Sequence, residues 1–519
     1  VSNKSIFFRV DSSVLTGSGH VMRCLTLAEE LGRAGADVGF ITRSHDGNLN
    51  SFIQKKGIKL YELPSSPYQA FLKDTTRGEY TTWLGTTQQA DAAETVEILK
   101  DLQPDWLIVD HYAIDETWEK LLRPYVNKIM VIDDLADRKH DCDLLLDQNY
   151  VRGDRQRYAD LVSPACTLLA GPQYALLRKE FAEARKNLKK REGSVQRVFV
   201  FFGGVDPDNM TGKALDALSA PEFSHIHVDV VIGAANPHRE TISQAVTLSP
   251  LTTLHVQVEN IAELMAQSDL ALCAGGTTTW ERFCLGLPSL VVTIADNQVP
   301  FTRDLYEEGL LRWLGTSQDV DVHTLRKGIT QTIQDTDRNQ QKTEMGMKLV
   351  DGNGAQKLAH MLLKGPLHEE LRVRRVIESD CELFWHWAND PEVRKNAFNS
   401  DLIPSKSHKI WFSKKIRDPY AIIYVLEYEQ CPIGYVRFEI NDEQYVISYL
   451  LGRAFRGIGL GQKVLQIAID SFQKSRLFLL KAEVKYDNVA SAINFIRLGF
   501  KEKKHEVNKR VFELDLRKY

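Results

Sequence analysis

Apolar positions along this chain follow two alternating rhythms. Short apolar blocks bounded by turn formers read as buried strands, and stretches with an apolar residue every three or four positions read as amphipathic helices. Residues 7–10 form the first such block, and Val21, Leu25, Ala28 and Leu31 give a first helix its apolar face. Further strands are expected at 37–42, 59–63, 106–110, 128–133 and 143–147, with helices at 48–56 and 88–102. The stretch leading up to Trp83 carries no clear period and reads as a loop. This β-α alternation predicts a parallel, doubly wound sheet with functional loops at the strand C-termini.

A charged helical run, 182–192, is broken at Gly193-Ser194, after which the alternation starts again. Strands at 197–202, 228–232, 253–256 and 270–274 place a second doubly wound domain here. Gly365-Pro366 and the charged residues after it read as a linker. Beyond it the rhythm changes. Strands at 371–375, 421–427, 432–440 and 445–451 follow one another with helices at 378–389 and 462–475, and another strand is expected at 481–484. The fold class is therefore α/β, with domains over 1–190, 191–365 and 370–519.

Composition narrows the function classes. With 519 residues and a net charge of −4, the chain offers no electrostatic case for binding nucleic acid or an anionic membrane. Its 7 cysteines include no C-x-x-C pair, which fits reduced thiols better than a disulfide framework or a zinc site. No 18-residue apolar run and no signal-peptide pattern occur, so a soluble, cytoplasmic protein is expected. No aspartate cluster demands a metal, and none is expected.

Candidate chemistry gathers at glycine-bearing turns. Gly17-Ser18-Gly19-His20 joins the first strand to the first helix, where backbone N–H groups favour an anion and a histidine is suited to proton transfer. Asp110, His111, Asp133, Asp134 and Asn149 fall at strand ends, where such residues also serve as turn formers and caps. His45 and His140 read as surface residues, and Glu119, Lys120 and Arg123 as a solvated helix face. In the second domain, Gly275-Gly276-Thr277-Thr278 precede a helix carrying Glu281. The amides and hydroxyls suit a diphosphate and the carboxylate suits a ribose, although Thr278 and Glu281 also have capping-box spacing. In the third, Arg456-Gly457-Ile458-Gly459-Leu460-Gly461 lies between a strand and a helix, again a phosphate-binding arrangement.

The motifs TGSGHVMRCLTLA at 16–28, LLDQNY at 145–150, GPQYALLRKEF at 171–181, FFGGVDP at 201–207 and GGTTTWE at 275–281 stand in one order. In that order they resemble the UDP-sugar hydrolases of pseudaminic acid biosynthesis, relatives of SpsG-type polysaccharide proteins on the MurG-like GT-B fold. The resemblance implies that His20 is the catalytic base. It also implies substrate contacts from Gly17, Gly19, Arg23, Asp110, His111, Tyr112, Asn149 and Arg178. On the nucleotide side it implies Gly203, Gly204, Asp206, Glu259 and Asn260, then Gly275, Gly276, Thr277, Thr278, Glu281, Asn297 and Gln298.

The R-x-x-G-x-G loop, WANDPEVR at 387–394 and AINFIRLGF at 492–500 resemble GNAT acetyltransferases acting on amino-sugar nucleotides. This implies acetyl-CoA as co-substrate, bound by Leu451, Arg456, Gly457, Gly459, Gly461 and Asn488. Phe495 stands where many members carry a tyrosine that protonates the CoA thiolate, so the acid and base there stay unassigned, and Tyr486 reads as a packing residue. Together the resemblances imply consecutive steps: acetylation of UDP-4-amino-4,6-dideoxy-N-acetyl-β-L-altrosamine, then hydrolysis of the UDP-2,4-diacetamido-2,4,6-trideoxy-β-L-altropyranose formed. The alternatives are a GT-B glycosyltransferase with an appended acetyltransferase or CoA-binding module, and a regulatory module that has lost its chemistry.

Overall fold

The computed structural model describes residues 4–65, 80–150, 155–191, 194–364, 371–428, 431–441, 444–456, 460–473, 479–506 and 508–516. The first sheet holds β1 (Ser5–Val10), β2 (Asp37–Arg43), β3 (Lys59–Leu63), β4 (Trp106–Asp110), β5 (Ile129–Ile132), β6 (Leu144–Asp147) and β7 (Thr167–Ala170). Its order is β3-β2-β1-β4-β5-β6-β7, every neighbouring pair parallel. β1, β4, β5 and β6 are buried along nearly their whole length, as a parallel sheet covered on both faces requires.

The second sheet repeats this plan with β8 (Arg197–Phe201), β9 (His227–Ile232), β10 (Thr252–Val256), β11 (Leu270–Ala274), β12 (Ser289–Thr293) and β13 (Arg312–Thr316). Its order, β10-β9-β8-β11-β12-β13, is also wholly parallel. Two doubly wound domains in tandem, the GT-B plan, are thus present as expected. After the second domain the chain returns to the first. In the Gly354–Lys364 helix, Ala355, Leu358, Ala359 and Leu362 share an apolar cluster with Val21, Leu25 and Ala28 of the Gly19–Arg33 helix.

The third sheet is mixed, holding β14 (Leu371–Arg375), β15 (Ala421–Tyr428), β16 (Cys431–Asn441), β17 (Gln444–Leu451), β18 (Leu479–Lys485), β19 (Lys501–Glu506) and β20 (Lys509–Asp515). Its order is β14-β15-β16-β17-β18-β20-β19. β17 and β18 run parallel and pair at only Tyr445↔Leu480 and Val446↔Lys481, so beyond these positions the strands part. This domain leans on the first sheet's edge. Leu169 clusters with Cys431 and Ile433, and the Cys431 thiol donates to the Leu168 carbonyl at 2.9 Å.

Several surface expectations are corrected. Glu119 and His140 are buried together, with Nδ1 of His140 2.7 Å from the carboxylate, and Arg123 forks onto Asp141 and Asp143. His45 is buried as well, 3.6 Å from Asp11. Helical spacing could not distinguish these from a solvated face, because each polar side chain is buried against its own partner. Among the described residues, no helix is long and apolar enough to cross a membrane.

Candidate active sites

In an open parallel sheet, the loops leaving the strands where their order reverses diverge and open a crevice. In the first sheet this happens between β1 and β4, and His20 follows the one while Asp110 ends the other. Gly17 adopts a left-handed φ of 71°, and Ser18 makes no side-chain cap to the Gly19–Arg33 helix, whose first N–H groups have no partner within the helix. A side chain built on Gly17 or Gly19 would meet nothing within 4 Å, so the turn borders open space.

His20 Nδ1 lies 2.6 Å from Asp110 Oδ1. A carboxylate only accepts, so Nδ1 carries the proton and Nε2 keeps the lone pair of the neutral ring. Arg23 holds the carboxylate from the other side, donating from Nε and Nη2 at 2.6 and 2.7 Å. Burial by itself would raise the Asp110 carboxyl, but Arg23 and His20 outweigh it and hold the group well below the usual carboxylate range. Asp110 is therefore a fixed anion that orients His20.

Asp134 is the second anchor. It accepts from Arg23 Nη1 at 2.6 Å, from the Tyr112 hydroxyl at 2.8 Å and from Asn149 Nδ2 at 3.1 Å. Tyr112 stands edge-on to His20 with ring centres 4.6 Å apart, and Trp83 stacks on Tyr112 at 5.6 Å with Tyr80 beside both. The histidine thus sits against an aromatic wall. Tyr80 and Trp83 come from the aperiodic stretch and left no signal in the pattern.

Some expected contacts are redirected. Asp110 and Arg23 are engaged with each other and with His20 rather than presented to a substrate. His111 is buried and turned inward, its Nε2 3.3 Å from Asp11, and burial lowers its pKa. It belongs to a charge cluster in which Arg9 bonds Asp11 and Asp91, and Arg43 bonds Asp91.

The second sheet reverses between β8 and β11, and the glycine turns predicted from the sequence leave those two strands. Gly203 has φ 93°, and Asp206, at φ 46°, accepts from the Met210 and Thr211 amides at 2.9 and 2.8 Å. Asp206 is buried beneath the first turn of the Met210–Leu218 helix, whose N-cap is Asn209; Gly204 remains at the turn. A side chain on Gly275 would come within 2.6 Å of Thr302 Oγ1, so the turn packs tightly on the Val299–Glu307 helix. The capping box does not form. Thr277 occupies the N-cap of the Thr278–Cys284 helix without a side-chain bond, and Thr278 Oγ1 accepts from Arg282 instead.

Glu281 faces Arg178 at 3.8 Å, a contact between the second domain and the segment leading out of the first. Burial, opposed by Arg178, pushes its carboxyl up to about 7. Gln298 accepts from the Ile294 amide at 3.0 Å and lies beside Gly276, while Asn297, Glu259 and Asn260 are exposed beyond β12 and β10.

Where β17 and β18 part, the third domain opens a groove of about 820 Å³. Leu451, Arg456, Gly461 and Asn488 line it, with Tyr449, Ser491 and Asn494, which sequence reasoning missed. Tyr449 is hydrogen-bonded to Ser491 at 3.1 Å and to Asn494 at 2.9 Å. Asn488 caps the Val489–Arg497 helix through the Ser491 amide. The Arg456 guanidinium is directed at Asp390 at 2.6 Å and at the Leu451 carbonyl at 2.8 Å. The expected positions Gly457 and Gly459 lie outside the described residues. Phe495 is core, packed on Phe500 and Phe512, whereas Tyr486 is exposed rather than packed. Among the described residues, no group of three or more His, Cys, Asp or Glu is placed to hold a metal ion.

Residues 382–500 match the acetyltransferase (GNAT) family. The N-terminal part is similar to a different kind of protein. The UDP-2,4-diacetamido-2,4,6-trideoxy-beta-L-altropyranose hydrolase of Campylobacter jejuni is 27% identical over 307 residues, 59% of this chain and 97% of that protein. The spore coat polysaccharide biosynthesis protein SpsG of Bacillus subtilis is 28% identical over 36% of this chain and 54% of its own. A Methanocaldococcus jannaschii protein, MJ1062, aligns over 98% of this chain and 99% of its own at 23% identity.

Proposed function

We propose that this chain is a bifunctional enzyme of pseudaminic acid biosynthesis. Its C-terminal domain acetylates the 4-amino group of UDP-4-amino-4,6-dideoxy-N-acetyl-β-L-altrosamine with acetyl-CoA. Its first two domains hydrolyse the UDP-2,4-diacetamido-2,4,6-trideoxy-β-L-altropyranose so formed. The observation that carries this reading is the His20–Asp110 pair at 2.6 Å, set at a switch point inside the segment similar to the Campylobacter hydrolase, with a GNAT domain on the same chain.

His20 Nε2 takes a proton from a water as its oxygen bonds to the anomeric carbon, while the bond from that carbon to the diphosphate oxygen breaks. Asp110, already ionised, stabilises the imidazolium that results. UDP departs against the turns after β8 and β11, where Glu281 accepts from the ribose hydroxyls, and attack opposite the leaving group inverts the centre. No step calls for a metal, and EDTA is expected to leave UDP release intact. In the third domain, the parted strands β17 and β18 receive acetyl-CoA in the groove, its pyrophosphate at the start of the Leu460–Gln473 helix.

The test supplies the UDP-4-amino sugar as the only sugar and follows UDP release with and without acetyl-CoA. Release only with acetyl-CoA supports both activities and their order. CoA release without UDP until an acceptor is added, followed by UDP release with sugar appearing on that acceptor, overturns the hydrolase assignment in favour of a glycosyltransferase.

A further inference from the structure

A second cavity, of about 390 Å³, adjoins the acetyl-CoA groove. The two share Tyr435 and Arg437 of β16 as lining residues, so a molecule in one borders a molecule in the other across two side chains. The rest of its wall comes from helices and the loop residue Ile403; the helices contribute Arg394, His408 and Trp411, with Ser407 exposed beside His408. Its size suits a single sugar ring rather than a whole nucleotide sugar.

His408 is the one lining residue whose chemistry suits a proton acceptor. Its Nε2 lies 3.1 Å from the Cys381 carbonyl. A carbonyl only accepts, so Nε2 holds the proton and the neutral ring keeps its lone pair on Nδ1, to which no hydrogen bond is made among the described residues. The groups facing it are Cys381 of the Cys381–Ala388 helix, Arg394 of the Pro391–Asn396 helix, and Tyr435 and Arg437 of β16, with Lys409 exposed on its own helix. Neither a carboxylate nor any other anion is among them, and burial lowers the pKa of His408 below the ordinary histidine range. The ring therefore enters the reaction unprotonated. Trp411 is fixed under the Arg437 guanidinium, 5.3 Å from the ring centre, which keeps that wall in place.

We propose that this cavity seats the amino sugar of the acceptor and that His408 Nδ1 takes the proton its ammonium must lose before acetyl transfer. The proposal rests on the acetyltransferase reading above. The ammonium gives one proton to Nδ1, from which it passes to water. The freed nitrogen lone pair bonds to the thioester carbonyl carbon, the carbon–sulfur bond breaks as the adduct collapses, and the second proton leaves with the thiolate as CoA thiol. The absence of a tyrosine at Phe495 is then no obstacle to the deprotonation step.

The experiment measures acetylation of UDP-4-amino-4,6-dideoxy-N-acetyl-β-L-altrosamine between pH 6 and 9.5 by the full chain and its His408→Gln variant, with acetyl-CoA affinity measured by calorimetry. The variant is expected to lose about 10²-fold in kcat/KM near pH 7 and to recover towards the unaltered enzyme as the amine deprotonates by itself at high pH. Acetyl-CoA affinity should stay unchanged. Ser407→Trp, at an exposed position, should raise the acceptor KM with acetyl-CoA affinity again unchanged. Equal loss at every pH, or no loss, overturns the role of His408; an unaltered acceptor KM in Ser407→Trp overturns the cavity. If the unaltered chain binds acetyl-CoA but acetylates nothing, the acetyltransferase reading itself falls.

Discussion

His20 and Arg456 stand in similar places, each between a strand and a helix, yet their surroundings are built differently. At the first, buried charge does the positioning: Arg23, Asp110 and Asp134 form one chain of ion pairs that fixes the imidazole. At the second, the conspicuous charge is turned away, since Arg456 is engaged by Asp390, and the ligand space comes from two strands that part. One site depends on the orientation of a few atoms, the other on the shape of a groove. Side-chain substitutions should therefore cost far more at the first than at the second.

The largest effect tests this directly. His20→Ala should lower the rate of UDP release by ~10²–10⁴, the usual worth of general-base assistance, while UDP affinity and acetyl transfer hold. A loss under tenfold would remove the contrast. Asp110→Asn should follow at about 10²-fold, because the amide reverses the polarity that fixes the His20 tautomer and leaves Nε and Nη2 of Arg23 without their anion. The Asp110 carboxyl is depressed in the folded state, so its contribution to stability is complete above the ordinary carboxylate range and is lost only as the pH falls through and below it. Thermal melts of the unaltered chain and the Asn variant should accordingly differ at pH 7 and converge in strong acid.

How much of this was legible in the sequence follows the same division. Most strands of both parallel sheets and the turns at Gly17, Gly203 and Gly275 were legible because periodicity and turn chemistry are local. β7, β13 and the β19–β20 hairpin were not, being short, half-buried or highly charged. His20 was legible as a candidate, but its partners could be assigned only in part. Asp110 was visible at a strand end and Asp134 likewise, yet which carboxylate meets the histidine depends on β1 and β4 being neighbours, a fact of tertiary pairing. His111, one position along, points the other way because successive residues at a strand end diverge.

Glu281 offers an intermediate case, a charge set in a glycine turn of the second domain. Its carboxyl is raised to about 7, so the folded state is favoured by the neutral form below about pH 4.5 and loses that advantage as the pH climbs through 7. Glu281→Gln should leave stability nearly unchanged at pH 4, raise it at pH 8.5 by about 3 kcal/mol, and weaken UDP binding about tenfold. A melting difference that shrinks with pH would show that Arg178 dominates burial. In the third domain, Arg456→Ala should weaken acetyl-CoA binding by about tenfold and leave UDP release from the acetylated sugar as it was. Parallel loss of both activities would mean that the two sites are not separable.

The smallest effect concerns the contact through which the two kinds of site touch. Lys128, just before β5, donates to the Arg456 carbonyl at 2.7 Å and lies 5.2 Å over the Trp106 ring. Burial lowers its pKa to about 8, so holding it charged at pH 7 opposes folding, while its hydrogen bond favours it. The first term is worth about 3 kcal/mol and the second about 1 kcal/mol, opposite in sign, so Lys128→Met should raise the melting temperature at pH 7. What it removes is the bond to the Arg456 carbonyl beside the proposed acetyl-CoA groove, worth a loss of about 2–10-fold in acetyl-CoA affinity. Because the pKa is about 8 in the folded chain and the ordinary lysine value in the unfolded one, the unaltered chain should gain stability from pH 8 to 10 and the variant should not. An acetyl-CoA affinity unmoved by Lys128→Met would mean that the groove keeps its shape without the first domain, and the separation between the two sites would then be complete.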